Sequence, residues 1–186
     1  RQGLHVVPFK KPTTEELDHD FLWRVHKEVP AKGQIAIFNR SHYEDIIAVR
    51  VKKIFPDPVW KRRYKHVLDF EAMLAEEGTV IIKLFLNISK AEQKKRLESR
   101  LQDPDKLWKF CMDDLDDRNR WDEFQTAYQD LIEKTSTPEA PWYIIPADRK
   151  WYRNLVVARL MVEKLRHLQL SLPTPNFDPA SIIIPD

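Results

Sequence analysis

The feature that most constrains this chain is an alternation. Four short apolar runs, at residues 6–9, 35–38, 79–86 and 142–145, are separated by long stretches of helical pattern. Ile35-Ala36-Ile37-Phe38 is apolar on both faces, the pattern of a strand covered from both sides, and 79–86 reads the same way. Such strands alternating with helices predict an α/β fold, a three-layer arrangement around a parallel sheet. The run at 6–9 is expected at an edge, because Pro8 has no N–H to give to a ladder.

The helical stretches carry their own punctuation. Thr13 and Glu16 form a capping box that opens a helix to about residue 28, with Leu17, Phe21, Leu22 and Val25 on one face and Pro30 as its stop. A helix is predicted over 43–51. A long one follows, with Asp57 as N-cap, Pro58 in its first turn and Gly78 just past its end. Ser89 and Glu92 open another helix to about residue 101. Residues 102–117 read as a charged loop or short helix, before a helix over 118–134. The last, over 151–170, would turn Leu155, Ala158, Val162 and Leu165 inward. The four prolines of 171–186 mark a surface tail, so the expected organisation is a domain over 1–170 and that tail.

Composition narrows the function classes. With 31 basic and 29 acidic residues the net charge is +2, which supplies no broad basic face for nucleic acid. No apolar run approaches the ~20 residues of a membrane span. The single cysteine, Cys111, excludes an intramolecular disulfide and a cysteine zinc cluster and fits a reducing cytoplasm. Three glycines, Gly3, Gly33 and Gly78, cannot make a GxxxxGK[ST] or GxGxxG loop. His19 and His26 lie two helical turns apart but lack a third metal ligand.

Ligands of open parallel sheets gather at the carboxyl ends of strands. Three polar stretches fall there. In the first, after 35–38, Asn39 and Arg40 precede Glu44 and Asp45; Arg40 offers a planar donor fork for phosphate, and either acid can hold Mg²⁺. The bland alternative is a strand-to-helix turn with Ser41 as cap. In the second, over 89–110, seven cations face four acids, and Arg96 and Arg100 share one helix face. A polyanion could lie there, or the helix is simply solvated. The third is Asp148-Arg149-Lys150, able to hold a nucleobase or phosphate, or to serve as a charged connection.

The strings FNRSHYED (38–45), EELDHDFLWR (15–24), DPDKLWKF (103–110), NISKAEQKKRLESRL (87–101) and TSTPEAPWYIIPADRKWYRN (135–154) closely resemble the polyphosphate kinase 2 family, in matching order from about residue 5 to 168. The resemblance implies a P-loop kinase fold like that of thymidylate kinase. It implies Mg²⁺-dependent, reversible phosphoryl transfer between inorganic polyphosphate and nucleotides, and a homodimer or homotetramer. Asn39 and Arg40 open what looks like the family's Walker B-type segment, with Asn39 where members reading FDRS have aspartate. The Asn39 and Glu44 combination resembles the subgroup that phosphorylates AMP as well as ADP, giving ADP and ATP, with Glu44 positioning the acceptor or its Mg²⁺. Residues 100–120 resemble the family's lid, with Arg100, Lys106, Lys109 and Arg118 as polyphosphate contacts, and Asp148, Arg149 and Lys150 as nucleotide contacts. The family's glycine-rich Walker A segment precedes the region matching Arg1. The resemblance therefore implies that this chain is the later part of a longer protein, with the central first strand of a 2-3-1-4-5 sheet outside it. Two alternatives remain open: an ATP-dependent kinase of the same fold, and a non-catalytic polyanion-binding protein.

Overall fold

The computed structural model describes residues 3–172 and 174–185. The chain divides into two compact units, one of Arg1–Phe85 with Ser89–Ile144 and one of Leu86–Ile88 with Ile145–Asp186.

In the first unit β1 (Leu4–Pro8) pairs in parallel with β2 (Ile35–Asn39), from Leu4 beside Ile35 to Pro8 beside Asn39. Between them the capping box forms as expected. Thr13 Oγ1 accepts from the Glu16 N–H at 3.2 Å, and Glu16 Oε2 accepts from the Thr13 N–H at 2.8 Å. The helix does not run to residue 28, however. It ends as α1 (Thr14–Asp18) and restarts as α2 (Trp23–His26). Asp20 is the reason: its side chain accepts from the Leu22 N–H at 2.9 Å, a local turn that competes with the helical ladder. Leu17, expected on the inward face, is consequently exposed.

The core forms around α3 (Glu44–Val51), α4 (Asp57–Glu76) and α7 (Trp121–Thr135). Ile46, Ile47, Val49 and Val51 leave α3 apolar nearly all round, so it is packed on several sides, against Trp60, Tyr64 and Val67 of α4 and Ala127 and Leu131 of α7. A second cluster joins Val7, Phe9, Val25 and Phe70. The N-cap of α4 is Pro56, one residue before the predicted Asp57. Gly78 ends the helix as predicted, at φ +89, with the Gly78 N–H on the Ala75 carbonyl and the Thr79 N–H on that of Leu74, a full Schellman closure.

Further along come β3 (Lys83–Asn87), α5 (Lys90–Gln102), a 3-10 turn (Pro104–Lys109) and α6 (Asp113–Asn119). The helix expected to begin at 118 begins at Trp121, because Arg120 leaves the helical region at φ −100, ψ 26. Its guanidinium donates to the Val51 carbonyl at 2.9 Å, a favourable cation at the end of α3. β3 pairs with β4 (Trp142–Pro146).

Among the described residues the strands form two two-stranded sheets, β1–β2 and β3–β4. The strands expected to be covered on both faces are not: Ile35 and Ile37 are 38% and 46% exposed, and Leu86 and Ile144 are exposed too. The register puts Leu4 beside Ile35 and Val6 beside Ile37, so one apolar face of β1–β2 is open among the described residues, while Val7 packs into the core from the other.

In the second unit, Ala147 donates to the Asn87 carbonyl at 2.8 Å and α8 (Lys150–His167) follows. The predicted inward stripe is corrected here. Leu155, Ala158 and Val162 are exposed, Leu165 is half-buried as expected, and the other half-buried positions include Val156, Val157, Leu160 and Met161. The tail holds one 3-10 turn, Pro179–Ser181, and its described residues are exposed. No helix is long and apolar enough to cross a membrane among the described residues.

Candidate active site

β1 and β2 end at the same level, and the Phe9 N–H donates to the Asn39 carbonyl at 3.1 Å. Asn39 is the last strand residue and is exposed. The chain then turns through Arg40 at φ +62, a left-handed backbone that non-glycine residues seldom adopt. Next, His42 and Tyr43 drop into the core, and Glu44 opens α3 half-buried. The Glu44 N–H donates to the Ser41 carbonyl at 3.0 Å, and the Asp45 N–H to that of His42 at 3.1 Å. Ser41 caps only loosely, its Oγ lying 3.4 Å from the Tyr43 nitrogen.

The two acids here have different tasks. Asp45 is engaged by the fold: its carboxylate takes Arg24 Nη2 at 3.3 Å and its carbonyl takes Arg63 Nη1 at 2.5 Å. Arg24 is itself buried, donates to the Lys10 carbonyl and lies over the Phe9 ring. Glu44 forms no ion pair among the described residues. Burial pushes its carboxyl above the ordinary range, Arg40 pulls it back, and the Asp45 and Asp117 charges push it up again. Tyr128 of α7 feels the same set: burial raises its hydroxyl, as do the Glu44 and Asp117 charges, against Arg40. Arg40, Glu44, Asp117 and Tyr128 therefore share one neighbourhood. Asp117 also meets Lys52 at 2.7 Å. Sequence reading missed Asp117 and Tyr128. One is an acid among the four of Asp113–Asn119 and the other an aromatic on an amphipathic helix, so neither carries a local signal.

The predicted lid cations are mostly engaged within the chain. Arg100 Nη1 holds Asp114 at 3.1 Å. Arg118 Nη1 donates to the Lys90 carbonyl at 2.8 Å and to Gln93 at 2.9 Å, joining α6 to α5. Lys106 pairs with Asp103, and Arg96 with Glu92 at 2.8 Å. Lys109 is exposed and lies over the ring of Trp108, itself 78% exposed. Asp148, Arg149 and Lys150 belong to the second unit, where Arg149 is the N-cap of α8 and Lys150 its first residue. His19 stacks on Trp23, and His26 meets the edge of Phe70.

A turn presenting an arginine and a half-buried carboxylate at a strand end suits phosphate chemistry, and similarity to known proteins points the same way. The family model described as polyphosphate kinase 2 matches residues 1–172. The chain belongs to the polyphosphate kinase 2 family. Among its relatives is an AMP/ADP-polyphosphate phosphotransferase of Meiothermus ruber, 53% identical over 182 residues, with 98% of this chain and 68% of that protein covered. An ADP-polyphosphate phosphotransferase of Rhodopseudomonas palustris is 39% identical, with 92% and 64% covered. The crystal structure of polyphosphate kinase 2 from Arthrobacter aurescens superposes with a TM-score of 0.93 at 48% identity, over 97% of this chain and 64% of that one. The chain thus spans about two thirds of the length of these members of the family.

Proposed function

We propose that this chain forms the larger part of a phosphotransferase that moves phosphoryl groups from inorganic polyphosphate to AMP and ADP, yielding ADP and ATP, in a reversible reaction. The observation that carries the reading is the pairing at the end of β2. Arg40 makes no hydrogen bond or ion pair among the described residues, and it shares its neighbourhood with a carboxylate that has none either. The terminal phosphate oxygen of an acceptor is already a nucleophile at neutral pH, so the protein's work is positioning and charge neutralisation. Arg40 would stabilise the equatorial oxygens of the transferred group, with Asn39 beside it, and Glu44 would orient the acceptor.

The residues fit Mg²⁺ in the manner of a phosphate-bound ion. No group of three or more acids, histidines or cysteines forms a protein cage among the described residues. Mg²⁺ typically takes one or two carboxylates and completes its shell with phosphate and water, and Glu44, whose negative charge is undercompensated, is the carboxylate to hold it. When bound, the ion would neutralise phosphate charge. Residues 100–120 would act as the lid on polyphosphate through Arg100, Lys106, Lys109 and Arg118, and Asp148, Arg149 and Lys150 would contact the nucleotide. The division of strands into β1–β2 and β3–β4 supports a P-loop kinase sheet of order 2-3-1-4-5, whose first strand would come from the family's Walker A segment. The same reading places the domain over 1–170, the enzyme in the cytoplasm, and its copies in a homodimer or homotetramer.

The test is a donor comparison in the intact enzyme. With Mg²⁺ present, polyphosphate should convert AMP to ADP and ADP to ATP. Turnover with ATP as donor and none with polyphosphate would favour an ordinary nucleotide kinase.

A further inference from the structure

The 40–44 turn is anchored by a buried polar network that the reaction itself does not use. Tyr43 donates from its hydroxyl to Glu71 Oε1 at 2.5 Å. Lys83 Nζ donates to Glu71 Oε2 at 2.7 Å, to the Thr135 carbonyl at 2.6 Å and to the Tyr43 oxygen at 3.1 Å. His42 Nε2 lies 3.4 Å from Glu71 Oε1, without hydrogen-bond alignment, and its ring leans on that of Tyr43. Trp142 meets the Tyr43 ring edge-on and donates from Nε1 to Thr135 Oγ1 at 2.9 Å. His42, Tyr43, Glu71 and Lys83 are all buried.

A buried ion pair is weak evidence for stability, since apolar side chains of equal volume often serve as well or better. Directional bonds supply a single geometry, and the place they fix is telling. They tie α4, β3 and the end of α7 to Tyr43, one of the three residues lying between Arg40 and Glu44. The same turn carries the left-handed Arg40, a backbone state that persists only where its surroundings over-determine it.

We propose that Tyr43, held by Glu71 and Lys83, is a positioning residue that fixes the 40–44 turn so that Arg40 and Glu44 present their charged groups to one site. The proposal rests on the reading of Arg40 and Glu44 given above. Tyr43 touches no reacting atom; it acts through its neighbours in the turn.

The test is a mutant cycle in the intact enzyme, with polyphosphate and ADP as substrates. Tyr43→Phe keeps the ring and removes the hydroxyl. It should lower kcat about tenfold and leave both KM values within about twofold, the mark of lost alignment rather than lost binding. In an Arg40→Ala background the same change should alter kcat less than about twofold, because the group being aligned is gone. Glu71→Gln combined with Lys83→Met removes both charges at similar volume. It should reproduce the fall in kcat without lowering the thermal midpoint. Wild-type kcat in Tyr43→Phe would overturn the proposal, as would an equal loss in both backgrounds, or losses that follow the midpoint downward. Wild-type turnover in Arg40→Ala alone would overturn the active-site reading and the positioning role with it; a deep loss there beside a silent Tyr43→Phe would sink only the latter.

Discussion

Two side chains one turn apart divide the chemistry at the end of β2. Arg40 is exposed and held by no partner among the described residues, so its loss should leave the fold intact. Arg40→Ala should lower turnover by about 10², the scale of one transition-state donor, with an unchanged thermal midpoint. Steady-state rates beside a melting curve check both halves. Glu44 is the acceptor's residue. A monophosphate leaves space that the second phosphate of ADP would fill, and a carboxylate there can hold water or Mg²⁺ in its stead. Glu44→Gln should therefore lower AMP phosphorylation at least about tenfold more than ADP phosphorylation, a difference of about 1.4 kcal/mol. Equal losses with one polyphosphate preparation would reduce Glu44 to a first-turn acid favouring the helix dipole. Asp45, its neighbour in sequence, has no such freedom. It is spent on Arg24 and Arg63, a distinction that spacing could not make.

The elements show what a sequence carries and what it loses. The Thr13 capping box and the Gly78 closure are written in local chemistry and formed as read. The breaks at Asp20 and Arg120 were invisible. One depends on a side chain bonding its own backbone, the other on a guanidinium meeting the carbonyl of a distant helix. Arg40 and Glu44 were legible because they sit in one string, whereas Asp117 and Tyr128 join them only through the packing of α6 and α7. The stretch over 89–110 was legible as a basic region but not as a paired one. Arg100 and Arg118 hold α5 and α6 together, which leaves Lys109 as the readiest cation for a polyanion. Neutralising Lys106 and Lys109 together should raise the KM for polyphosphate more than that for nucleotide and flatten its salt dependence. KM values for both substrates across a salt series check this, and equal rises would indicate structural damage.

For the whole molecule, pH response is a sum of opposed groups. Burial first, against Arg40 and Arg24, holds the Glu44 and Asp45 carboxyls above their ordinary range. The folded state then binds more protons than the unfolded one, so their contribution declines as pH rises through the raised values. Glu71 goes the other way: burial would lift it, but His42, Lys83 and Tyr43 hold it low, as Arg50 does Asp130 through a 2.6 Å bond. That stabilisation is present above the ordinary carboxylate range and is lost as pH falls through the lowered values. Thermal midpoints should therefore peak in weak acid. Glu44→Gln should raise the midpoint at about pH 7 and lose that advantage near about pH 4, where the native carboxyl is protonated. A midpoint series over that range for both proteins checks the sign.

The open face of β1–β2 has a colloidal consequence for the 186-residue chain. Leu4, Val6, Ile35 and Ile37 form a flat apolar patch, and β2 pairs with a strand on only one side among the described residues. A greasy sheet face next to an unmatched ladder edge is a template on which other extended chains can dock. With a net charge of only +2 there is little long-range repulsion to keep copies apart. Light scattering should show self-association that steepens with concentration and with added salt. Ile35→Thr with Ile37→Lys should suppress it, because a charge on that face makes each collision between sheets a desolvation cost.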